Sequence, residues 1–173
     1  MTTVLLFAAL SIWRMGGDIT VANAPNGGTL RTMGGDIVVQ QAEGNLVAKT
    51  MGGNIDIISL RGSAQAGTMG GEVRVNVDAN GPGHNIDLSS LGGDIELTLP
   101  ANFDGKFDVS LEESDSGDRH QITSDFPLHV SDSMRYHLFE SNRLVHTATG
   151  QSGSAVNRVH ISTVGGNITI HKK

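Results

Sequence analysis

The residues of this chain that invite a chemical reading are six glycine pairs, each followed by an acid or an amide. They are Gly16-Gly17-Asp18, Gly34-Gly35-Asp36, Gly52-Gly53-Asn54, Gly70-Gly71-Glu72, Gly92-Gly93-Asp94 and Gly165-Gly166-Asn167. A glycine pair can cradle a phosphate, but a phosphate loop opens a helix and usually carries a lysine. Neither follows here, so the pairs read as tight corners where glycine supplies positive φ. The acidic column offers the oxygen ligands that Ca²⁺ prefers. The Ca²⁺-binding roll needs a third glycine in its nine-residue repeat, which this chain lacks, so the column reads as a solvated ladder. Thr32, Thr50 and Thr68 resemble one half of an ice-binding face. The column beside them, Leu30, Ala48 and Ala66, reads as inward and leaves that face incomplete.

Other polar groups are equally spare. Glu112 to Asp118 is an acidic run that reads as a hairpin tip. His160 and His171 fall on the last two strands, both facing outward, yet two histidines fall short of a zinc set. There are no cysteines, which excludes disulfides, thiolate metal sites and a cysteine nucleophile. No G-x-S-x-G elbow is present to expose a serine. The sequence therefore assigns no catalytic, cofactor-binding or metal residue. A net charge of −6 argues against nucleic acid as a partner. No apolar run is long enough for a membrane-spanning helix. With 38% hydrophobic residues the chain is too apolar to be disordered. Its 23 glycines follow no collagen period.

The elements that carry these residues follow from the spacing. The first four glycine pairs recur every 18 residues, the fifth follows after 22 and the sixth after a further 73. Before each pair stands Met15, Met33, Met51, Met69, Leu91 or Val164. After it come the apolar columns Ile19, Ile37, Ile55, Val73, Ile95, Ile168 and Val21, Val39, Ile57, Val75, Leu97, Ile170. Apolar and polar residues alternate, the period of a strand with one buried face. Shorter strands follow over Thr29–Thr32, Leu46–Thr50 and Ala64–Thr68, with turn residues between. A unit that repeats as strand, turn, strand, turn buries its apolar face only by stacking on the next unit. The expected fold is all-β: a single-domain β-solenoid with coils of about 18 residues and a non-repeating excursion before the last coil. Small inward residues (Gly28, Ala48, Ala64, Ala66) predict a narrow core, with the methionine column as its flexible filler. A triangular left-handed helix of hexapeptides is the second reading; it places Asn45, Ser63 and Gly81 inward.

Four segments follow. Residues 1–13 are an apolar start without a basic n-region or a clear cleavage site, read as a strand, a cap or a signal remnant. Residues 14–127 hold the repeat coils, with one more strand at Phe107 to Leu111 and a return near Gln121 to Thr123. Residues 128–157 form the excursion, whose apolar cluster (Met134, Tyr136, Leu138, Phe139, Leu144, Val145) predicts a cap over an end or a side, the rival being a mobile binding arm. Residues 158–173 restate 85–97 as a closing coil.

The order of these motifs is similar to one family. Thr32 to Val39, Gly93 to Ala101, Ser124 to Leu128 and Ile161 to Ile170 together resemble the bacterial DUF4097 repeat proteins, over roughly residues 14–171. The start departs from that pattern, with Arg14 at the threonine position. The resemblance implies an all-β, solenoid-like domain on exported or membrane-associated proteins, labelled adhesins without an established activity or site. The functional expectation is a non-enzymatic scaffold or interaction domain of the bacterial cell envelope, meeting a protein or glycan partner. A self-assembling β-helix and a carbohydrate-active β-helix enzyme are the alternatives. An apolar patch along one long face would favour a partner surface. A cleft with converging carboxylates would favour the enzyme.

Overall fold

A computed structural model describes residues 10–78, 81–113, 120–135 and 143–173 of the chain. Among them fourteen strands form one continuous sheet that winds into two faces, and no helix occurs. The strands are β1 (Leu10–Trp13), β2 (Ile19–Ala24), β3 (Gly27–Arg31), β4 (Ile37–Lys49), β5 (Ile55–Gly67), β6 (Val73–Val77) and β7 (Asn85–Ser90). The rest are β8 (Ile95–Leu99), β9 (Gly105–Glu112), β10 (Ile122–Ser124), β11 (Leu128–Arg135), β12 (Arg143–Ser152), β13 (Asn157–Val164) and β14 (Ile168–Lys172).

Face A runs β2, the first half of β4, the first half of β5, β6, β8, β14, β10, all parallel. Face B runs β1, β3, the second half of β4, the second half of β5, β7, β13, β9, also parallel. The antiparallel strands β12 and β11 extend it. The parallel ladder of β4 on β5 continues around the corner between the faces, pairing Glu43 with Arg61 and Gly44 with Gly62. The turn residues expected just before Leu46–Thr50 and Ala64–Thr68 therefore form bends within 13-residue strands. The solenoid expected from the repeats is the fold observed.

The buried side chains are those the alternation selects: Ile37, Val39, Ala42, Leu46 and Ala48 in one coil, Ile55, Ile57, Leu60, Ala64 and Ala66 in the next. Each large aliphatic among them contributes about 1.5–3 kcal/mol by leaving water. Asn45 is exposed and Ser63 and Gly81 are only half-buried, so the triangular hexapeptide arrangement is not adopted.

The offsets between repeats are the offsets between neighbours in space. Ile55 pairs with Val73, Val73 with Ile95 across 22 residues, and Ile95 with Ile168 across 73. Residues 157–172 therefore enter the stack inside rather than at its end. The chain leaves β8 and skips one slot of face B, and β13 fills that slot between β7 and β9. β14 likewise sits between β8 and β10. Asp104 pins the return: its carboxylate accepts from the Val156 amide at 3.2 Å, and Asn157 donates to its carbonyl at 2.7 Å. A hydrogen bond from the backbone of Ser154, helped by those of Val156 and Ala155, holds the Asp104 carboxyl below the usual range against the opposing effect of desolvation.

The far end of the core is closed by rings from outside the predicted cluster. Phe103, Phe107 and Phe126 are buried there, with ring centroids 6.2 Å apart for the first two and 5.1 Å for the last two. Lys172 Nζ stands 4.6 Å over the Phe126 ring. Within the excursion, Val145 and Ala148 are buried and Leu128 packs on the core. Tyr136, Leu138 and Phe139 lie outside the described residues, as do residues 114–118 of the acidic run.

Candidate interaction surface

The glycine corner reverses one expectation. Met33, Met51 and Met69, expected as core filler, are 45%, 48% and 49% exposed, and Met15 and Leu91 are exposed as well. The buried column is the threonine before them: Thr32, Thr50, Thr68, Ser90 and Thr163. The reason is a hydrogen bond that the apolar pattern does not reveal. Thr50 Oγ1 donates to the Gly35 carbonyl of the preceding coil at 2.9 Å and accepts from its own Gly53 amide at 3.3 Å. Thr68 does the same with Gly53 and Gly71, and Ser90 with Gly71 and Gly93. A satisfied hydroxyl can be buried at little cost. With threonine inside, the residue after it must point outward. The ice-binding arrangement fails for the same reason.

From the second pair on, the second glycine is needed for close stacking more than for positive φ. Only Gly17 and Gly165 among the pairs have φ in the left-handed region. A Cβ on Gly53 would instead lie 2.1 Å from the Gly35 carbonyl oxygen, and one on Gly71 2.1 Å from that of Gly53. On Gly34 or Gly16 it would meet nothing.

The acidic column does structural work at the same corner. Asp18 Oδ1 accepts from the Asp36 amide at 3.0 Å, Asp36 from Asn54 at 2.7 Å, Asn54 from Glu72 at 2.9 Å and Asp94 from Asn167 at 2.6 Å. Each side chain thus caps the next coil, and an amide oxygen serves as well as a carboxylate, which is why asparagine interrupts the column. Among the described residues no group of three or more His, Cys, Asp or Glu is placed to hold a metal. His160 and His171 do not meet: the first lies on face B beside Asp108, the second on face A between Glu96 and Asp125. The strands that carry them belong to different faces.

The outcome is an apolar ridge along one edge of the solenoid: Met15, Met33, Met51, Met69, Leu91, Val164 in spatial order. Val164 is level with Glu112 in the ladder. Beside it runs an outward column of face B, in register from Trp13 through Arg31, Lys49, Gly67, Ser89 and Ser162 to Ser110. Trp13 is 79% exposed. Because the column shrinks to glycine and serine after Lys49, a trough of about 640 Å³ opens between ridge and sheet, ending at Glu112 and Val145. Its near end is cationic, with Arg31 and Lys49, on a chain whose net charge is −6.

Beyond the trough, His146 is half-buried between two carboxylates. Its Nδ1 is 2.7 Å from Asp132 and its Nε2 3.2 Å from Glu113. Burial works against the charged ring, but the hydrogen bonds to Asp132 and Glu113 outweigh it and raise the pKa above the ordinary 6.5.

Face A carries a cluster of carboxylates. A shallow hollow is lined by Glu72, Asp94 and Glu96 with Arg74 and His171. Arg74 pairs with Glu72 and, at 3.5 Å, with Glu96. Asp94 is engaged by the Asn167 amide and His171 by Glu96 and Asp125. These acids are committed to neighbours rather than aimed at a common point.

The arrangement defines a class: a β-solenoid repeat domain with an apolar ridge and trough along one long edge. The chain belongs to the DUF4097 family, whose model, described as Toastrack DUF4097, matches residues 4–171. Neither the comparison with curated proteins nor that with solved structures gives a match.

Proposed function

We propose that this chain is a non-enzymatic scaffold whose working surface is the methionine-lined trough, and that it meets a protein partner there. The ridge of Met33, Met51, Met69 and Leu91 carries the reading, because a continuous exposed apolar stripe is uncommon on a surface without a binding role. Unbranched, polarisable methionine suits a surface that adapts to a partner. A glycan would ask for several stacking aromatics, and among the described residues lining this edge only Trp13 is aromatic. The commitment of the face A carboxylates supports the non-enzymatic reading over a carbohydrate-active one. The antiparallel hairpin β11–β12 ends the parallel stacking on face B and speaks against coil-on-coil filaments. The family resemblance favours a setting at the cell envelope.

A photo-crosslinking residue at Ser162, in the trough, and another at Thr98, on face A, test this in cells that make the protein. Adducts to a protein from position 162 that vanish with Met51→Lys are expected. Adducts from position 98 alone, or new reducing ends released from polysaccharides by the purified chain, would overturn the reading.

A further inference from the structure

The floor of the trough offers no backbone to pair with. The second half of β5 is bonded to β4 and β7, β7 to β5 and β13, and β13 to β7 and β9. The trough runs across these strands, so an extended segment lying in it would find no ladder for its amides and carbonyls. A helix brings its own hydrogen bonds. Its pitch also suits the wall. Met33, Met51, Met69 and Leu91 stand exposed on successive coils, at the strand spacing of ~4.8 Å. An amphipathic helix repeats its apolar anchors once per turn, every ~5.4 Å. Over four coils the two spacings drift apart by only about 2 Å, a gap that flexible methionine side chains can close.

Charge sets the sign of the occupant. Arg31 and Lys49 are neighbours in the ladder, and no carboxylate among the described residues pairs with either. Two adjacent, unpaired cations on a chain of net charge −6 are complemented by an anion from outside. That anion fits the trough better than a flat surface. On the other flank of the ridge stands the column Asp18, Asp36, Glu72 and Asp94, which would repel an anionic bilayer laid across the edge.

We infer that the trough receives an acidic amphipathic α-helix of the partner protein. Its apolar stripe lies along Met33, Met51, Met69 and Leu91, and its acidic side chains at one end stand beside Arg31 and Lys49. This is helix-in-groove recognition, with the methionines as adaptable contacts and the two cations fixing which end of the helix lies where.

This occupant presupposes that the trough is the working surface, and defined probes keep the two readings apart. The first probe is a labelled peptide of about 18 residues, five helical turns, built from leucine, alanine and glutamate with leucines at i, i+3, i+4, i+7 spacing. The second has the same composition with leucine and glutamate alternating. The third has the helical pattern with lysine for glutamate. Fluorescence anisotropy with the purified chain is expected to show the first bound at least about tenfold more tightly than either of the others. A chain carrying both Arg31→Glu and Lys49→Glu is expected to keep its cooperative melt and to prefer the lysine peptide instead. Equal binding of the alternating peptide, or a charge preference that the double variant leaves unchanged, would overturn the proposal. So would vesicles of phosphatidylcholine with about 30% phosphatidylglycerol that bind the wild-type chain and not the double variant, since the cations would then serve a membrane. If no peptide binds while position 162 still gives protein adducts that vanish with Met51→Lys, the helix falls and the working surface stands. If neither peptides nor adducts are found, both readings fall.

Discussion

Thr50 donates its buried hydroxyl to the carbonyl of Gly35, fifteen residues earlier and one coil away, at 2.9 Å. This bond joins successive coils at their tightest corner, sets threonine inside, and thereby turns Met51 out. Repeated by Thr32, Thr68, Ser90 and Thr163, it builds the ridge that the functional reading depends on.

Thr50→Val should therefore destabilise the fold by about 1–3 kcal/mol, because the Gly35 carbonyl and the Gly53 amide both lose a buried partner. Met51→Lys, on the exposed ridge, should change stability by less than about 0.5 kcal/mol. Urea denaturation of the two variants checks the ordering; a larger loss for Met51→Lys would return the methionines to the core.

The two glycines of a pair should respond differently to the same change. Gly53→Ala drives a methyl into the Gly35 carbonyl, and relieving that clash should cost about 2–3 kcal/mol. Gly52→Ala has its nearest neighbour 4.0 Å away and should stay within about 0.5 kcal/mol of wild type. Thermal melts that rank the two equally would argue against close coil stacking as the origin of the motif.

At the acidic column, the oxygen matters and the charge does not. Asp36→Asn keeps an acceptor for the Asn54 amide and should melt like wild type, whereas Asp36→Ala should lose about 1 kcal/mol. Calorimetry with Ca²⁺ should show no tight binding in either background. Micromolar Ca²⁺ affinity abolished by Asp36→Ala would contradict the capping role.

His146 predicts a pH dependence for the outer hairpin. Its pKa is raised in the folded chain, so its pairing with Asp132 and Glu113 stabilises the fold below the unfolded value of 6.5 and fades as pH rises through the folded value. The melting-temperature gap between wild type and His146→Gln should be widest below pH 6.5 and should close above it. A gap that widens with rising pH would reverse the assigned sign.

Much of this fold is legible in the spacing. The 18-, 22- and 73-residue offsets of the glycine motif are themselves the strand pairings Ile55–Val73, Val73–Ile95 and Ile95–Ile168. What the spacing hides is the slot left open between β7 and β9, since nothing in Phe107 or Val109 says which neighbour β9 takes. The hairpin β11–β12 is hidden too, because it repeats nothing. Periodicity hides the ridge for a physical reason: it groups residues by polarity, and here a polar threonine is buried on satisfied hydrogen bonds while an apolar methionine faces water. The signal was present in Thr, Ser and Gly recurring together, a combination that only a hydroxyl-to-backbone bond demands.

The most direct test of the outward ridge is native-state oxidation by dilute hydrogen peroxide, followed residue by residue with mass spectrometry, on the purified chain at low concentration. Met33, Met51 and Met69 should form sulfoxides at similar rates, close to that of Met15, while the cooperative melt survives. Protection of all three until the chain unfolds would put them back in the core and remove the surface on which the proposed function stands.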